Sequence, residues 1–234
     1  MTRSDARVLE DRRALIIGDD ELGSGIALRL ERAGAIVQLS AADQAATAAP
    51  DQQPLDILVL NLLPEAAPAP LEAVAAQSLE TALSTVARVA RLMQAFFPRL
   101  RRRGGRILLI GHRYGESVNE GLAAYNAAAW ALIGLTRSAA VDWGQYQITT
   151  NLILPLAATR ELQSAREQRP RVIDLLISQL PLRRVGDPAD DVGGAAVFLA
   201  SDDAGFINGE VVHADGGQHV AGAVLNPARF VTHR

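Results

Sequence analysis

Gly18 and Gly23 follow the first apolar run of the sequence, at the point where a strand would turn into a helix. Backbone N–H groups at such a turn can bind a phosphate, because they lie at the positive end of the helix dipole. The same turn contains three consecutive acids, Asp19, Asp20 and Glu21. Like charges about 4 Å apart repel by roughly 4 kcal/mol at an effective dielectric constant of 20. An acid in the first turn, by contrast, stabilises a helix by roughly 0.3 to 1 kcal/mol. We therefore expect these acids to take the place of a phosphate.

Tyr125 and His112, thirteen residues apart, form a second group that could do chemistry. A tyrosine has a pKa near 10, so it needs a nearby positive charge to act as an acid or base at neutral pH. A histidine ring can donate a hydrogen bond to a substrate oxygen. The two residues could form an acid–base pair, although an ordinary polar residue at the end of a strand would also explain His112.

The composition excludes several chemistries. All 23 residues counted as Lys+Arg are arginine, and the 234-residue chain contains neither lysine nor cysteine. Schiff-base and P-loop lysines, thiolate nucleophiles, disulfides and cysteine-ligated zinc are therefore excluded, and we expect no metal site. The net charge of −3 argues against nucleic-acid binding, which needs a concentrated basic patch.

The cellular location of the protein is predicted from the lengths of its apolar segments. The first residues, MTRSDARVLEDRR, contain no apolar stretch typical of a signal peptide. No apolar run reaches the roughly 18 residues that cross a bilayer. We expect a cytoplasmic protein that binds neither membrane nor nucleic acid.

Apolar runs alternate with segments of helical periodicity along the chain. Strands are predicted at 14–17, 35–39, 56–61, 106–110, 148–154 and 210–214, and helices at 26–33, 71–100, 123–143, 171–180 and 190–200. This alternation is typical of an α/β protein with a doubly wound parallel sheet. We expect a single domain over residues 1–217, followed by a C-terminal arm at 218–234.

Two long stretches carry a resemblance to a known family. One is PLRRVGDPADDVGGAAVFLASDDAGFINGEVVHADGG, and the other runs from GGRILLIGH through GLAAYNAAAWALIGLTRSAAVDWGQYQITTNLILP. The chain resembles short-chain dehydrogenases/reductases of the 3-oxoacyl-carrier-protein reductase type over nearly its whole length. The resemblance implies a Rossmann-like fold, whereas activity has to be argued from the site.

The resemblance also implies a catalytic set, which this chain largely lacks. In the family a tyrosine protonates the substrate carbonyl, and a lysine four residues later lowers the pKa of that tyrosine and holds the nicotinamide ribose. The tyrosine here is Tyr125, but Ala129 stands where the lysine should be. His112 takes the place of the family's serine, and Thr85 that of its asparagine. We expect no catalytic residues, and we interpret Tyr125 and His112 as vestigial.

The cofactor positions implied by the family are altered as well. The first turn lacks a middle glycine, Ala41 stands where the family selects between nicotinamide cofactors, and LNLL at 60–63 replaces Asn-Asn-Ala-Gly. The fourteen residues at 41–54 are too few for the family's extra helix–strand–helix excursion, so we expect the sheet to lack the third strand at one edge. We expect no cofactor, and only vestiges of its site: Gly18, Gly23 and Asn61.

These losses suggest a catalytically inactive subunit that assembles with and stabilises an active homologous dehydrogenase. The partner assembly would be a heterodimer or heterotetramer, similar to heteromeric dehydrogenases of the hydroxybenzylsuccinyl-CoA type. The face of the helix at 123–143 that carries Trp130 is the predicted partner surface. One alternative is a divergent NAD(P)-dependent oxidoreductase that acts through Tyr125 and His112 on a hydroxyacyl or ketoacyl substrate attached to CoA or a carrier protein. Another is a homo-oligomeric ligand-binding module.

Overall fold

The computed structural model of the chain describes residues 7–44, 53–62, 69–112, 116 and 120–221. Within these residues the strands are β1 (Arg13–Ile17), β2 (Ile36–Ser40), β3 (Ile57–Leu60), β4 (Arg106–Ile110), β5 (Thr149–Pro155) and β6 (Val211–Ala214). The α-helices are α1 (Glu21–Arg32), α2 (Ala76–Leu100), α3 (Ala123–Trp143), α4 (Arg160–Gln168), α5 (Pro170–Gln179) and α6 (Gly193–Ala200).

The strands of the described residues form a parallel sheet in the order β2-β1-β3-β4-β5-β6. The chain winds outward from β1 to β2, then crosses back to β3 and continues in the other direction. The carboxyl ends of β1 and β3 therefore adjoin at a topological switch point, where ligand crevices of open α/β sheets form. This order confirms the predicted doubly wound α/β fold.

Helices cover both faces of the sheet. Since successive side chains of a strand point to opposite faces and both faces are covered, β3 is apolar at every position, and β1, β4 and β5 each contain a run of consecutive apolar residues. On one face, buried side chains of α2 and α3 pack against alternate strand residues. Met93 and Phe96 of α2 and Leu15 and Leu58 of the strands belong to this cluster. On the other face, Ile26 of α1 and Leu199 of α6 pack in the same way in a cluster with Ile16 and Val59 of the strands. The sheet is thus a buried layer that fixes where its strands end.

β2 is one of the two edge strands of the described sheet and lies next to β1. Its Ile36 is 52% exposed and its Leu39 is 40% exposed. Among the described residues no strand lies beyond β2, in keeping with the predicted loss of the family's third strand. Residues 45–52, which make up most of the predicted short crossover, lie outside the described residues.

Some element bounds differ from the prediction for local reasons. α1 begins at Glu21, five residues before the predicted start, because Asp20 caps it. The predicted helix at 71–100 divides into a 3₁₀ turn (Leu71–Ala73) and α2, and the helix at 190–200 begins as a π-helical turn (Pro188–Val192) capped by Asp187.

α4 was not predicted, because RELQSAREQ has no apolar stripe. The helix is instead capped at its start by Thr159, whose hydroxyl accepts from the backbone N–H of Leu162 at 3.4 Å.

The end of the described chain is a short 3₁₀ turn, Gln218–Val220, directly after β6. The predicted arm begins in this turn, and residues 222–234 lie outside the described residues, so the arm stays a prediction. None of the described helices combines the length and the hydropathy that a membrane crossing requires.

Candidate functional site

Asp20 lies at the switch point, where the carboxyl ends of β1 and β3 meet the N-terminus of α1. Its Oδ1 accepts a hydrogen bond from the backbone N–H of Gly23 at 2.8 Å and another from the side-chain amide of Asn61 at 2.7 Å. The backbone N–H of Asn61 in turn donates to the carbonyl of Ile17 at 2.9 Å, which places Asn61 beside the end of β1. One carboxylate oxygen of the chain therefore engages both donors.

The two glycines of this turn are required by the packing of the backbone itself. Gly18 has φ +112°, and a Cβ there would lie 2.1 Å from the carbonyl oxygen of Asn61. A Cβ on Gly23 would lie 1.8 Å from the carbonyl oxygen of Gly18. Both distances are far below a van der Waals contact, so only glycine fits at either position. The turn explains these glycines without any ligand.

The dinucleotide that the family resemblance implies does not fit this turn. Its pyrophosphate would need N–H donors at the start of α1, and Asp20 already accepts from Gly23 there. The adjacent Glu21 adds a second carboxylate, which pairs with Arg160 at the start of α4 at 2.5 Å. A dianion would have to displace one carboxylate and approach another, against like-charge repulsion in both cases.

Two further positions on the cofactor side also lack the groups that would hold a dinucleotide. Ala41 follows β2 with only a methyl group, which can hold neither a ribose hydroxyl nor a 2′-phosphate. Leu62, from the LNLL stretch that replaces the family's Asn-Asn-Ala-Gly, packs against the core on the α2 and α3 face. Leu63 lies outside the described residues.

His112 and Tyr125 are brought together by β4 and α3. His112 follows β4, and Tyr125 is buried in the first turn of α3. Their ring centroids are 5.3 Å apart at an interplanar angle of 75°, an edge-to-face contact. Such a contact contributes to packing and also places an imidazole beside a phenol.

Ala129 lies one helical turn after Tyr125, on the same face of α3 and buried. It gives the tyrosine a methyl group as its neighbour, where the family has an ammonium. Thr85 lies on α2, and its hydroxyl donates to the carbonyl of Thr81 in its own helix at 3.2 Å. Of the implied catalytic set, the geometry keeps Tyr125 beside His112, and position 129 holds a methyl group in place of an ammonium.

A second polar cluster, at the carboxyl end of β6, was missed from the sequence. His213 Nε2 lies 3.1 Å from Glu116 Oε2, and the ring of His213 stacks on that of His219 at 3.8 Å. His219 is held by Asp215, four residues earlier. Burial lowers the pKa of His213 below its ordinary value, and the nearby His219 lowers this pKa further. The Asp-Gly-Gly-Gln-His spacing was the available signal. The described residues contain no group of three or more such side chains that could hold a metal ion.

Comparison with known proteins places the chain in a family. Residues 42–219 match the family model described as enoyl-(acyl carrier protein) reductase. The chain belongs to the short-chain dehydrogenase/reductase family. The match begins after the Asp20 turn, so β1, α1 and β2 lie outside the matched stretch.

Curated members of this family match part of the chain. The 3-oxoacyl-[acyl-carrier-protein] reductase FabG of Escherichia coli is 35% identical over 143 residues, which cover 61% of this chain and 56% of the relative. The acetoacetyl-CoA reductase of Rhizobium meliloti is 38% identical over 123 residues, covering 52% and 50%. The chain thus spans about half the length of the curated relatives it matches.

Solved structures of the family match almost the whole fold. The gluconate 5-dehydrogenase from Burkholderia cenocepacia J2315, solved in complex with NADP and tartrate, superposes with a TM-score of 0.80 at 25% identity. The superposition covers 93% of this chain and 99% of that one. The short-chain dehydrogenase/reductase fold is therefore present, and the differences described above lie in its site.

Proposed function

We propose that this chain is a catalytically inactive member of the short-chain dehydrogenase/reductase family that assembles with, and stabilises, an active homologous subunit. The observation that carries the proposal is Asp20, whose carboxylate occupies the Gly23 N–H and the Asn61 amide. A helix N-terminus that already holds a carboxylate has lost most of its attraction for a second anion. No nicotinamide cofactor is expected to bind.

The surroundings of Tyr125 support the same conclusion. In the family, the lysine one helical turn after the tyrosine supplies the cation that fits a phenol for acid–base work at neutral pH. Ala129 supplies no such cation. Tyr125 is buried against His112 and serves packing.

The helices on the opposite side of the molecule from Asp20 keep an apolar surface, which supports the assembly part of the proposal. On α3, Trp130 is 48% exposed and Val141 is 81% exposed. Between α2 and α3 lies a groove of about 360 Å³, lined mainly by Met93, Phe97, Leu135 and Trp143. Exposed aromatic and apolar groups of this kind mark association surfaces more often than catalytic sites. The partner is proposed as a homologous active subunit in a heterodimer or heterotetramer.

The second candidate function is an NAD(P)-dependent oxidoreductase acting on a hydroxyacyl or ketoacyl group through Tyr125 and His112. The observation that favours it is their 5.3 Å ring contact, which leaves an acid–base pair assembled. The named relatives favour it more directly than they favour the first candidate, since all are reductases or dehydrogenases and one was solved with NADP. In that case NAD(P) is the cofactor, and it would have to displace Asp20.

Equilibrium binding separates the two candidates. Calorimetric titration of the purified chain with NADH and with NADPH is expected to show no binding at millimolar nucleotide. The E. coli reductase, measured in parallel, serves as the positive control. Micromolar binding together with turnover of acetoacetyl-CoA would overturn the inactive assignment and establish the oxidoreductase.

The assembly part needs a separate measurement. Affinity purification of the tagged chain from its native cells, followed by mass determination of the intact complex, is expected to give a stoichiometric homologous dehydrogenase. A stable homo-oligomer without that second chain would contradict the proposal and favour a homo-oligomeric ligand-binding module.

A further inference from the structure

Two histidines at the carboxyl end of β6 are stacked between two carboxylates. His213 lies on β6 and His219 in the following 3₁₀ turn, with ring centroids 3.8 Å apart and planes inclined by 18°. Glu116, from the connection between β4 and α3, contacts the outer side of His213 at 3.1 Å. Asp215 contacts Nδ1 of His219 at 3.0 Å. The stack therefore joins three separate parts of the chain.

The turn that carries His219 depends on this cluster for its shape. Gly216 and Gly217 both have positive φ, at +66° and +86°, so the backbone there reverses sharply. The carboxylate of Asp215, which is only 2% exposed, accepts from the backbone N–H groups of Gly217 at 3.0 Å and His219 at 2.8 Å. The same carboxylate thus holds both the turn and the ring that stacks on β6.

The turn also supports the loop that follows α5. A Cβ on Gly217 would lie 3.2 Å from Cγ of Pro181, and one on Gly216 would lie 3.6 Å from Cβ of Leu182. These are contacts between the turn and a loop more than thirty residues earlier in the chain. The turn and the loop at 181–182 are therefore neighbours in the fold.

Charge on the stack is set by the groups that face His213. These groups are Glu210, which directly precedes β6, Asp215 and His219 in the turn after it, and Glu116 in the β4–α3 connection. Burial and His219 disfavour a proton on His213, while the three carboxylates favour one. When both rings carry a proton, two like charges lie face to face at stacking distance.

We propose that the His213–His219 stack is an acid-sensitive clasp, which holds the turn at 216–220 on the end of β6 and opens when His213 takes up a proton. His213 has a lower pKa in the folded chain than in the unfolded one, so the unfolded or opened state binds more protons as the pH falls. The clasp is closed above the ordinary histidine pKa of about 6.5 and is lost progressively below it.

Hydrogen exchange of the full chain tests the clasp. Protection of the amides at 215–221, corrected for the pH dependence of intrinsic exchange, is expected to fall severalfold between pH 7.5 and pH 5.5, because the opened state binds a proton at His213 more readily. The His213→Phe variant keeps a ring that can stack but cannot titrate, so its protection is expected to change less than about twofold. His112→Phe, which removes a histidine outside the cluster, is the matched control and is expected to behave as the wild type does.

An equal loss of protection in the wild type and His213→Phe, or no loss in either, would overturn the proposal. Should His213→Phe fail to fold, histidine NMR titration provides a second test. In the wild type the midpoint of His213 is expected below 6.5. In His219→Phe it is expected to move upward, because a neighbouring positive charge has been removed. A His213 midpoint that does not respond to His219→Phe would show that the rings are not coupled, and the clasp would be refuted.

Discussion

At the scale of the single residue, Asp20 acts as an internal anion. A carboxylate from the chain is held at the start of α1 by covalent connection, so it competes with any dissolved anion at a very high effective concentration. Its position also satisfies an N–H at the helix start, which would otherwise lack a partner. The stability of the turn and the proposed exclusion of a nucleotide therefore have the same cause, the carboxylate of Asp20.

Replacing Asp20 tests its contribution to stability. Asp20→Ala removes the cap of α1 and the partner of Asn61, so the free energy of unfolding in urea is expected to fall by about 1 kcal/mol. Asp20→Asn keeps an oxygen that can accept both hydrogen bonds and is expected to stay within about 0.5 kcal/mol of the wild type. Equal stability of Asp20→Ala and the wild type would show that the cap contributes nothing.

Ala129 provides a second test at this scale. The site is buried, so Ala129→Lys is expected to lower the free energy of unfolding by about 1 to 3 kcal/mol through overpacking and an imperfectly solvated ammonium. Ala127→Lys, on the exposed side of the same helix, is the control and is expected to change stability by less than about 0.5 kcal/mol. A stable Ala129→Lys that binds NADPH would contradict the role given to Asp20, because the missing lysine would then be the sole defect of the cofactor site.

At the scale of the element, the turn between β1 and α1 lies directly against Asn61, which follows the end of β3. Gly18→Ala would place a Cβ against the backbone of Asn61 at a φ that alanine rarely adopts. A loss of more than about 2 kcal/mol is therefore expected in chemical denaturation.

The matched control for Gly18→Ala is Gly134→Ala. Gly134 lies inside α3, and a Cβ there meets nothing within 4 Å. This variant is expected to stabilise the chain by up to about 1 kcal/mol, because alanine has the higher helix propensity. Similar effects on stability at both glycines would show that the turn at Gly18 has room for a Cβ.

The elements also show what the sequence could and could not predict. The bounds of β4 (Arg106–Ile110) and α3 (Ala123–Trp143) agree with the prediction residue for residue, because an apolar run and a long helical period are local properties. α4 was missed because it has little apolar periodicity, and the start of α1 was misplaced because its cap, not its apolar face, decides it.

The candidate site was predictable in part. The acids at 19–21 and the alanine at 129 are visible in the sequence, and the repulsion of a phosphate follows from charge alone. The Asn61 contact with Asp20 was not predictable, because it depends on the approach of β1 and β3. The His213–His219 stack depends on a turn in which two glycines adopt positive φ, and hydrophobic periodicity does not predict such a turn.

At the scale of the whole molecule, the apolar surface on α3 is where assembly can be tested. If Trp130 anchors the proposed partner, Trp130→Ala is expected to weaken association by about 2 kcal/mol or more, while unfolding of the isolated chain changes little. Leu175→Ala, which removes a comparably exposed apolar side chain on α5, is the control and is expected to leave association unchanged. Affinity measured by surface plasmon resonance against the purified partner distinguishes the two, and equal effects would remove Trp130 from the interface.

The exposed edge of the sheet bears on how the chain behaves in a cell. β2 reads Ile-Val-Gln-Leu-Ser, with none of the charges or prolines that protect edge strands from pairing with other chains. With Ile36 and Leu39 open to solvent, copies made in excess of the proposed partner would be prone to join through this strand and be cleared by proteases. On the proposed assembly, the abundance of this chain would follow that of its partner, and one unprotected strand would couple the supply of the two subunits.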